Sequence, residues 1–481
     1  MLIFALSNLT YMKSSLNHKV IISSLLISIA AVTSAKEKDY LETPLPERWQ
    51  LEQQNFQTLP CEDAWWTTFN DPILTELIRK AVENNYNVAS AIKRIEMASK
   101  EIGIAKSGYF PNISVSGGWN KDLESAKLYS YDSDRIRSSY FNLGASMSWE
   151  IDVFGRVYAG VKEKKAAYNV ARADYDAVMV SLCASVATAY MQLRTYEEEI
   201  SVAQEHILSQ KEVCRITESR FNAQLGNMLD VTQARVVLYE TEATLPTLEA
   251  NVRTMKNSLA LLVGEYPGTI DELLGNESGL PQYQQTVDIG LPVELLRRRP
   301  DIVEAEMELA EYAAAVGVAK KDFLPTLSFT GSIGTSAHSG GDLFSKKSFT
   351  YSIAPQLSWT VFEGLSRNYA LSESKLQLEA AIDSYNLTVM TAVEEVDNAL
   401  ISYAGLLNAI ELQKRVVEES KKSLDLSFEL YRSGLTIFTN VADSQISWLT
   451  NQNTLTEMQG EALAALVTIY KSLGGGWKSF Q

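Results

Sequence analysis

The residue types that most often perform catalysis or bind metals are scarce and scattered in this sequence. The chain has 481 residues but only three histidines and three cysteines. It carries no Gly-x-Ser-x-Gly, no phosphate-binding P-loop and no clustered set of His, Cys and Asp. Gly474-Gly475-Gly476 ends a helix-forming stretch and is typical of a helix terminus rather than of a phosphate cradle. The sequence therefore predicts no enzyme activity, no catalytic residues, no cofactor and no bound metal.

The cysteines and methionines do not change that interpretation. Cys183 and Cys214 lie 31 residues apart in one predicted helix, a separation of ~46 Å that no disulfide spans. Cys61 has no obvious partner, so all three cysteines are expected to serve packing. Met147 and Met191 are isolated, which disfavours a Met-lined path for metal cargo.

The charge and the first residues of the chain indicate an exported protein that does not bind nucleic acid. A net charge of −16 leaves no basic excess to neutralise phosphates. A basic stretch at 13–19, an apolar run of 13 residues at 20–32 and small residues at 33–35 predict a signal peptide over residues 1–35. Met12 is an alternative start, because the residues before it add nothing to this pattern. No later stretch has ~20 consecutive apolar residues, so membrane contact has to come from β-structure or from a peripheral surface.

The strongest internal signal is a repeat with an offset of about 210 residues. The segment 102–106, Ile-Gly-Ile-Ala-Lys, returns at 316–320 as Val-Gly-Val-Ala-Lys. Ser148-Trp149 likewise returns as Ser358-Trp359. Such self-similarity predicts two equivalent halves. The predicted parts are a first repeat at 36–262, an equatorial linker at 263–299 and a second repeat at 300–477.

Each half contains a hairpin whose residues alternate between apolar and polar. The predicted strand regions are about 111–151 and 325–361. From Phe141 to Ile151, for example, every second residue is apolar. Alternation with this period gives a strand one apolar face and one wet face. Taken alone, the pattern fits an ordinary antiparallel sheet with one solvated side.

Three features favour a membrane sheet over that ordinary sheet. The strands have the ~9–11 residues that a tilted transmembrane strand needs. The predicted connections, Lys121–Ser139 and Thr335–Ser348, are long and polar, as the outer loops of a barrel are. Aromatic residues cluster at the helix-facing ends of the strands, where they would form an interfacial girdle. These are Phe110, Trp149, Phe323 and Trp359. Because four strands cannot close a barrel and lipid tolerates no open edge, the protomers must assemble.

Long helices follow each hairpin, at about 154–262 and 363–473. Apolar residues keep the 3–4 spacing of a coiled coil, and glycine-containing breaks at 224–227 and 433–436 suit a tight turn between two helices. A helix of ~65 residues would be ~100 Å long, several times the bilayer core. The periodicity alone also fits a soluble helical bundle or a spectrin-like rod, but those leave the alternating strands unexplained.

Several segments resemble the TolC/OprM outer membrane factor family, in its NodT-like efflux-lipoprotein branch. They are Trp65-Trp66 with Phe69, the segments 71–78 and 152–156 and, most specific, the segment 290–302 with Arg297-Arg298-Arg299-Pro300-Asp301. The resemblance covers roughly residues 40–477. It implies a mainly α, TolC-like fold with a β-barrel part, in which a homotrimer closes a twelve-stranded barrel that continues as a long α-helical periplasmic barrel. Lipoprotein members have a Cys directly after the signal; Lys36 stands there instead, so lipid anchoring is not expected.

The resemblance also implies a function and partners. It implies the outer membrane channel of a tripartite efflux system, a passive exit duct for drugs or other small solutes. The duct would sit in outer-membrane lipid and extend into the periplasm. Its partners would be a periplasmic adaptor, also called a membrane fusion protein, and an inner-membrane pump of the resistance–nodulation–division type. A type I protein-secretion duct shares this fold, and a structural coiled-coil envelope protein fits the helical pattern, so both stay open as alternatives.

By the same resemblance, functional residues map to the two helix–helix turns. Carboxylates just past the turns constrict the closed pore in the family, which makes Asp230 and Asp443 candidates, with Tyr431 as a gate partner. Acids stabilised by a helix dipole explain the same carboxylates equally well. The family's docking motif of an aromatic, a basic, a small residue and Gly is matched by 431–434 but not by 221–224. The candidate adaptor-docking residues are Leu225, Gly226, Arg432, Gly434 and Leu435.

Overall fold

A computed structural model of the chain describes residues 41, 44–50, 56–57, 64–123, 137–275, 279–281 and 287–477. From Leu45 onward the chain forms a single unit. The predicted signal peptide, Cys61 and the central part of the first hairpin connection, 124–136, lie outside the described residues.

The helices begin at positions that carry recognisable capping signals. The Asp71 carboxylate accepts hydrogen bonds from the backbone N–H groups of Ile73 at 2.9 Å and Leu74 at 3.1 Å, and Pro72 takes the first helical position. In chain order, the helices are α1 Pro72–Asn84, α2 Tyr86–Ser107, α3 Arg156–Asn222, α4 Met228–Val263, α5 Asp271–Leu274, α6 Leu295–Arg298, α7 Pro300–Lys321, α8 Ser366–Arg432 and α9 Phe438–Ser472. Single 3₁₀ turns occur at Trp65–Phe69, Pro292–Glu294, Gly340–Asp342 and Lys346–Ser348.

The long helix α3 packs against α2, α4, α7 and α9, and the long helix α8 packs against α7 and α9. Arg94 on α2 pairs with Asp174 in the first part of α3 at 2.9 Å. Arg235 on α4 pairs with Glu218 near the end of α3 at 2.7 Å. In the second half, α7 and α9 both pack along α8. Helices α3 and α8 have 67 residues each, so each is ~100 Å long.

Helices α2 and α7 are additions to the helices expected from the sequence. Each carries a glycine near its C-terminal end, Gly103 or Gly317, and glycine lowers helix propensity by ~1 kcal/mol relative to alanine. Helix α2 packs on α3, and α7 packs on both α3 and α8. Tertiary contacts therefore add to the local propensity of these two helices.

The strands form two separate sheets. In chain order they are β1 Phe56–Gln57, β2 Asn112–Leu123, β3 Arg137–Ile151, β4 Val287–Asp288, β5 Thr326–Ala337 and β6 Phe349–Ser358. Strands β2, β3, β5 and β6 form an antiparallel sheet in that order, so β3 and β5 join the two hairpins side by side. Strands β1 and β4 pair in parallel. Within the part of the chain that the structure describes, the outer edges of β2 and β6 have no partner strand.

The structure corrects the predicted ends of all four strands of the larger sheet. Strand β3 begins at Arg137 and β5 ends at Ala337, each inside a segment predicted as a connection. Strand β2 runs into the predicted connection, where Lys121 pairs with Ser139. Backbone pairing does not require apolar side chains, so the ladder continues where the alternation stops. Strand β6 ends at Ser358, so Trp359 lies just beyond it, where its indole N–H donates to the Phe323 carbonyl at 3.0 Å.

The two faces of the four-stranded sheet differ in polarity. The polar face carries one serine from each strand in a single paired row, Ser114, Ser146, Ser332 and Ser352. On the opposite face large apolar side chains are exposed, with 66% of Ile113 and 72% of Tyr351 accessible. An apolar surface of this extent, uncovered by its own chain, is typical of a surface that contacts lipid or another protein.

Helix α3 has the position of a core helix. By length and composition alone, it contains a stretch apolar enough to cross a membrane. However, 56% of that stretch is buried inside the chain, because α2, α4, α7 and α9 all pack against α3.

Candidate functional site

The turn between α3 and α4 and the turn between α8 and α9 have the same backbone. In the first, the Leu225 N–H bonds to the Arg220 carbonyl at 2.8 Å, and the equivalent bond of the second turn measures 2.9 Å. This bond is the outer bond of a Schellman motif, in which the residue directly after the helix C-cap is left-handed. Gln224 holds that position in the first turn with φ 61°, and Gly434 in the second with φ 72°.

Tyr431 and Asp230, two of the predicted site residues, meet where the two turns lie side by side. The Tyr431 hydroxyl donates to Asp230 Oδ2 at 2.9 Å, across 201 positions of sequence. Only 3% of Tyr431 is exposed, and its ring packs edge-on against Phe438 at 5.3 Å between centroids. Burial, and then the hydrogen bond to Asp230, raise the pKa of Tyr431 to about 12, so the hydroxyl keeps its proton at neutral pH.

Asp230 and Asp443 occupy different places relative to their turns. Asp230 is the third residue of α4, and its backbone N–H donates to the side chain of Asn227, the N-cap, at 2.9 Å. Asp443 is the sixth residue of α9 and is exposed. The repeat places Asn440, not Asp443, opposite Asp230. A helix dipole acts within the first turn, so it accounts for Asp230 but not for Asp443.

Arg220 also belongs to the group of residues around Tyr431 and Asp230, although no sequence motif predicted a functional role for it. Its guanidinium donates to the Arg432 carbonyl at 2.7 Å and to the Leu225 carbonyl at 3.2 Å. Its Cζ also lies 4.9 Å from the centroid of the Tyr431 ring. The available signal was a basic residue directly before the aromatic Phe221, where the second repeat has a leucine.

The predicted docking residues lie on the outer side of the turns. Leu225 is 68% exposed and Leu435 is 75% exposed. Arg432 is also exposed and pairs with Glu429 on its own helix at 3.1 Å. Gly226 and Gly434 complete the two turns. Beneath them, the four helices bury an apolar cluster that consists of Ile207, Val213, Cys214, Ala234, Val237, Leu238, Leu424, Tyr431, Phe438, Val441, Ala442 and Trp448.

The predicted interfacial aromatics lie where helices meet the four-stranded sheet. The indole N–H of Trp149 donates to the Tyr109 carbonyl at 3.0 Å, just as that of Trp359 donates to the Phe323 carbonyl. Phe110, next to Tyr109, is 71% exposed. Each tryptophan thus fixes the end of one hairpin to the link that enters it.

The arginine-rich segment 297–299, part of the stretch that resembles the family, joins three helices. Arg299 is buried and pairs with Asp301 at 2.6 Å and with Glu395 on α8 at 2.7 Å. It also donates to the Ser472 carbonyl at the end of α9 at 3.1 Å. The adjacent Arg298 carbonyl accepts a hydrogen bond from the Trp477 indole at 3.0 Å. The motif therefore ties the start of α7 to α8 and to the C-terminal end of α9.

Reactive side chains elsewhere in the described part of the chain are buried or dispersed. There, no three His, Cys, Asp or Glu residues converge as metal ligands would. Cys183 and Cys214 are buried free thiols, and burial raises the pKa of Cys183 to about 12. His206 is buried beside Trp448, and burial lowers its pKa.

Comparisons with known proteins match this arrangement along most of the chain. The family model described as Outer membrane efflux protein matches residues 77–265 and 291–475. Nodulation protein T of Rhizobium leguminosarum bv. trifolii is 27% identical over 416 residues, covering 86% of this chain and 88% of that protein. The probable efflux pump outer membrane protein TtgC of Pseudomonas putida is 27% identical over 443 residues, covering 91% of each. The solved outer-membrane channel OprN has a TM-score of 0.82 and 31% identity, over 91% of this chain and 98% of that one.

The two stretches that match the family model lie one in each half of the repeat and contain the hairpins, the long helices and both turns. The match to OprN confirms the expected TolC-like fold, mainly α with a barrel part. The chain therefore belongs to the outer membrane efflux protein family, and it is an outer-membrane channel that extends into the periplasm.

Proposed function

We propose that this channel is the exit duct of a tripartite efflux system, closed by three copies of the chain and without enzymatic activity of its own. The observation that carries the proposal is the four-stranded sheet, which has an exposed apolar face and two outer edges that no other described strand pairs with. A membrane sheet has to close on itself, and four strands are too few to do so. Three copies would supply twelve strands, with β6 of one protomer beside β2 of the next.

An inner-membrane pump and a periplasmic adaptor complete the proposed system. The Pseudomonas putida relative is described as an efflux pump component, which supports a pump as partner. The exposed leucines of the two turns, Leu225 and Leu435, offer apolar contact area for an adaptor, flanked by Arg432 and the glycines. The pump would be of the resistance–nodulation–division type.

The cargo we propose is drugs or other small solutes. An acidic chain of net charge −16 would give the duct a negative potential, which would favour cations over anions. The row of serines across the polar face of the sheet adds hydroxyl groups without charge, so the barrel itself would select weakly.

The gate would lie at the periplasmic turns. In a closed trimer the exposed Asp443 carboxylates would converge on the pore axis, and the Tyr431–Asp230 hydrogen bond would hold α8 against α4 behind them. Like charges that converge in a narrow pore are hydrated and repel one another, which limits the passage of solutes until the helices move apart.

Two measurements test the proposal. Deletion of the gene should raise drug susceptibility several-fold and leave the levels of secreted proteins unchanged. Unchanged drug susceptibility would contradict the efflux function, and a loss of secreted proteins would favour the type I secretion duct instead.

For the gate, Asp443→Ala should raise single-channel conductance in planar bilayers, because it removes the charged side chain from the constriction. Asp383→Ala, an exposed acid near the other end of α8, serves as the control and should leave conductance unchanged. Equal conductance of Asp443→Ala and the native channel would remove Asp443 from the gate.

A further inference from the structure

We infer that Arg220 is a positioning residue that fastens the two turns of one protomer to each other and thereby helps to keep the channel closed. The inference rests on the proposed gate at the turns, but its observations are separate from those that place Asp443 there. They are the three contacts of a single guanidinium with two different turns and with the Tyr431 ring.

The first contact supplies a donor to a helix end, and the second reaches the turn that follows the other helix. The last carbonyl groups of a helix have no intrahelical donor and carry partial negative charge. Arg432 is the last residue of α8, and its carbonyl accepts from Arg220 Nη1 at 2.7 Å. Nη2 of the same side chain donates to Leu225, just past the end of α3, at 3.2 Å. One cation therefore bridges the C-terminal ends of both long helices.

The third contact holds Tyr431 in place. The guanidinium lies 4.9 Å from the ring centroid, within the range of a cation–π interaction. Phe438 packs edge-on against the same ring, and the hydroxyl is bonded to Asp230. Rotation of Tyr431 away from Asp230 would break contacts with Arg220 and Phe438 as well. Arg220 thus acts on the Tyr431–Asp230 bond through the ring rather than by touching the carboxylate.

The neighbouring residues at the turns do not duplicate these contacts of Arg220, which we call the Arg220 brace. The repeat places Leu430 at the position equivalent to Arg220, and leucine has no donor. Arg432 has the right charge, but its side chain is exposed and pairs with Glu429 on its own helix. Each protomer therefore has a single bridge of this kind at the described turns.

The test measures the separation of the turns directly. Spin labels on Leu225→Cys and Leu435→Cys, in a Cys61→Ser background and in protomers diluted with unlabelled chains, report the distance between turns by pulsed electron resonance. Both leucines are exposed, whereas Cys183 and Cys214 are buried and should not label.

Arg220→Gln should broaden this distance distribution and shift it to longer distances. Arg220→Lys, which retains a charge but not the fork of donors, should give an intermediate result. Arg215→Gln is the matched control, since Arg215 lies on the same helix and pairs with Glu212, an exposed residue of that helix.

Conductance provides the second readout. Arg220→Gln should raise conductance several-fold, and the double variant with Tyr431→Phe should exceed either single variant by much less than the sum, because both act on one contact. If Arg220→Gln changes neither distance nor conductance while Asp443→Ala opens the channel, the brace is wrong and the gate stands. If Arg220→Gln separates the turns but no variant alters conductance, the brace stands and the gate is wrong. If Arg220→Gln lowers the melting temperature but leaves the distance distribution unchanged, Arg220 only stabilises the fold, and the inference is overturned.

Discussion

Gln224 shows how one residue adapts a repeated turn to a different sequence. Its φ of 61° matches the 72° of Gly434, so the first turn keeps the backbone of the second without a glycine. A side chain in this left-handed conformation costs roughly 1–2 kcal/mol, which glycine avoids. The bonds that close the turn, together with Arg220, hold Gln224 there.

We therefore expect Gln224→Gly to stabilise the protein by about 1 kcal/mol, visible as a melting point higher by about 2 °C for the detergent-solubilised channel. Gly434→Ala should have the opposite effect. A Cβ at Gly434 would meet no atom within 4 Å, so only backbone strain would act. A stabilising Gly434→Ala substitution would contradict this account of the turns.

At the scale of elements, the packing of α7 on α3 brings several carboxylates together. The pKa of Glu304 on α7 is raised to about 7, first by burial and then by Asp174, Glu308 and Asp301. Arg94 on α2 acts in the opposite direction. Because the folded protein holds this proton more tightly than the unfolded chain, stability is lost as the pH rises from about 4.5 to about 7.

Glu304→Gln removes that charge and should raise the melting point at about pH 8 by roughly 2 °C, with no gain at about pH 4, where both states are protonated. Glu306→Gln provides the control, because Glu306 is exposed on the same helix. A pH-independent effect of Glu304→Gln would show that burial of the carboxylate does not determine its contribution.

Some elements could be predicted from the sequence and others could not. The period-two alternation of β3 and β5 and the coiled-coil spacing of α3 and α8 are local, because each reflects one face of one element. The start of α4 at Met228 and of α9 at Phe438 follows from the glycine-containing breaks. By contrast, α2 and α7 carry glycines that weaken the local signal, and β2 extends through polar residues whose pairing depends on the strand beside it.

At the scale of the whole molecule, the number of protomers can be read from mixtures. When native and Asp443→Ala chains are co-expressed, a trimer should give one conductance class for each number of mutant protomers, from none to three. A dimer or a tetramer would give a different number of classes. Channels from each chain expressed alone provide the two reference conductances.

The sequence by itself determined that the chain is a twofold repeat of hairpins and long helices, that its sheet needs neighbouring copies, and that its turns follow the glycine-containing breaks. These properties depend on residue periods and lengths, which are visible along a single stretch of chain. Only the tertiary structure showed that Tyr431 reaches Asp230 across 201 positions and that Arg220 joins both turns. Contacts of this kind depend on how distant helices align side by side. Many weak packing interactions set that alignment together, and no local pattern records it.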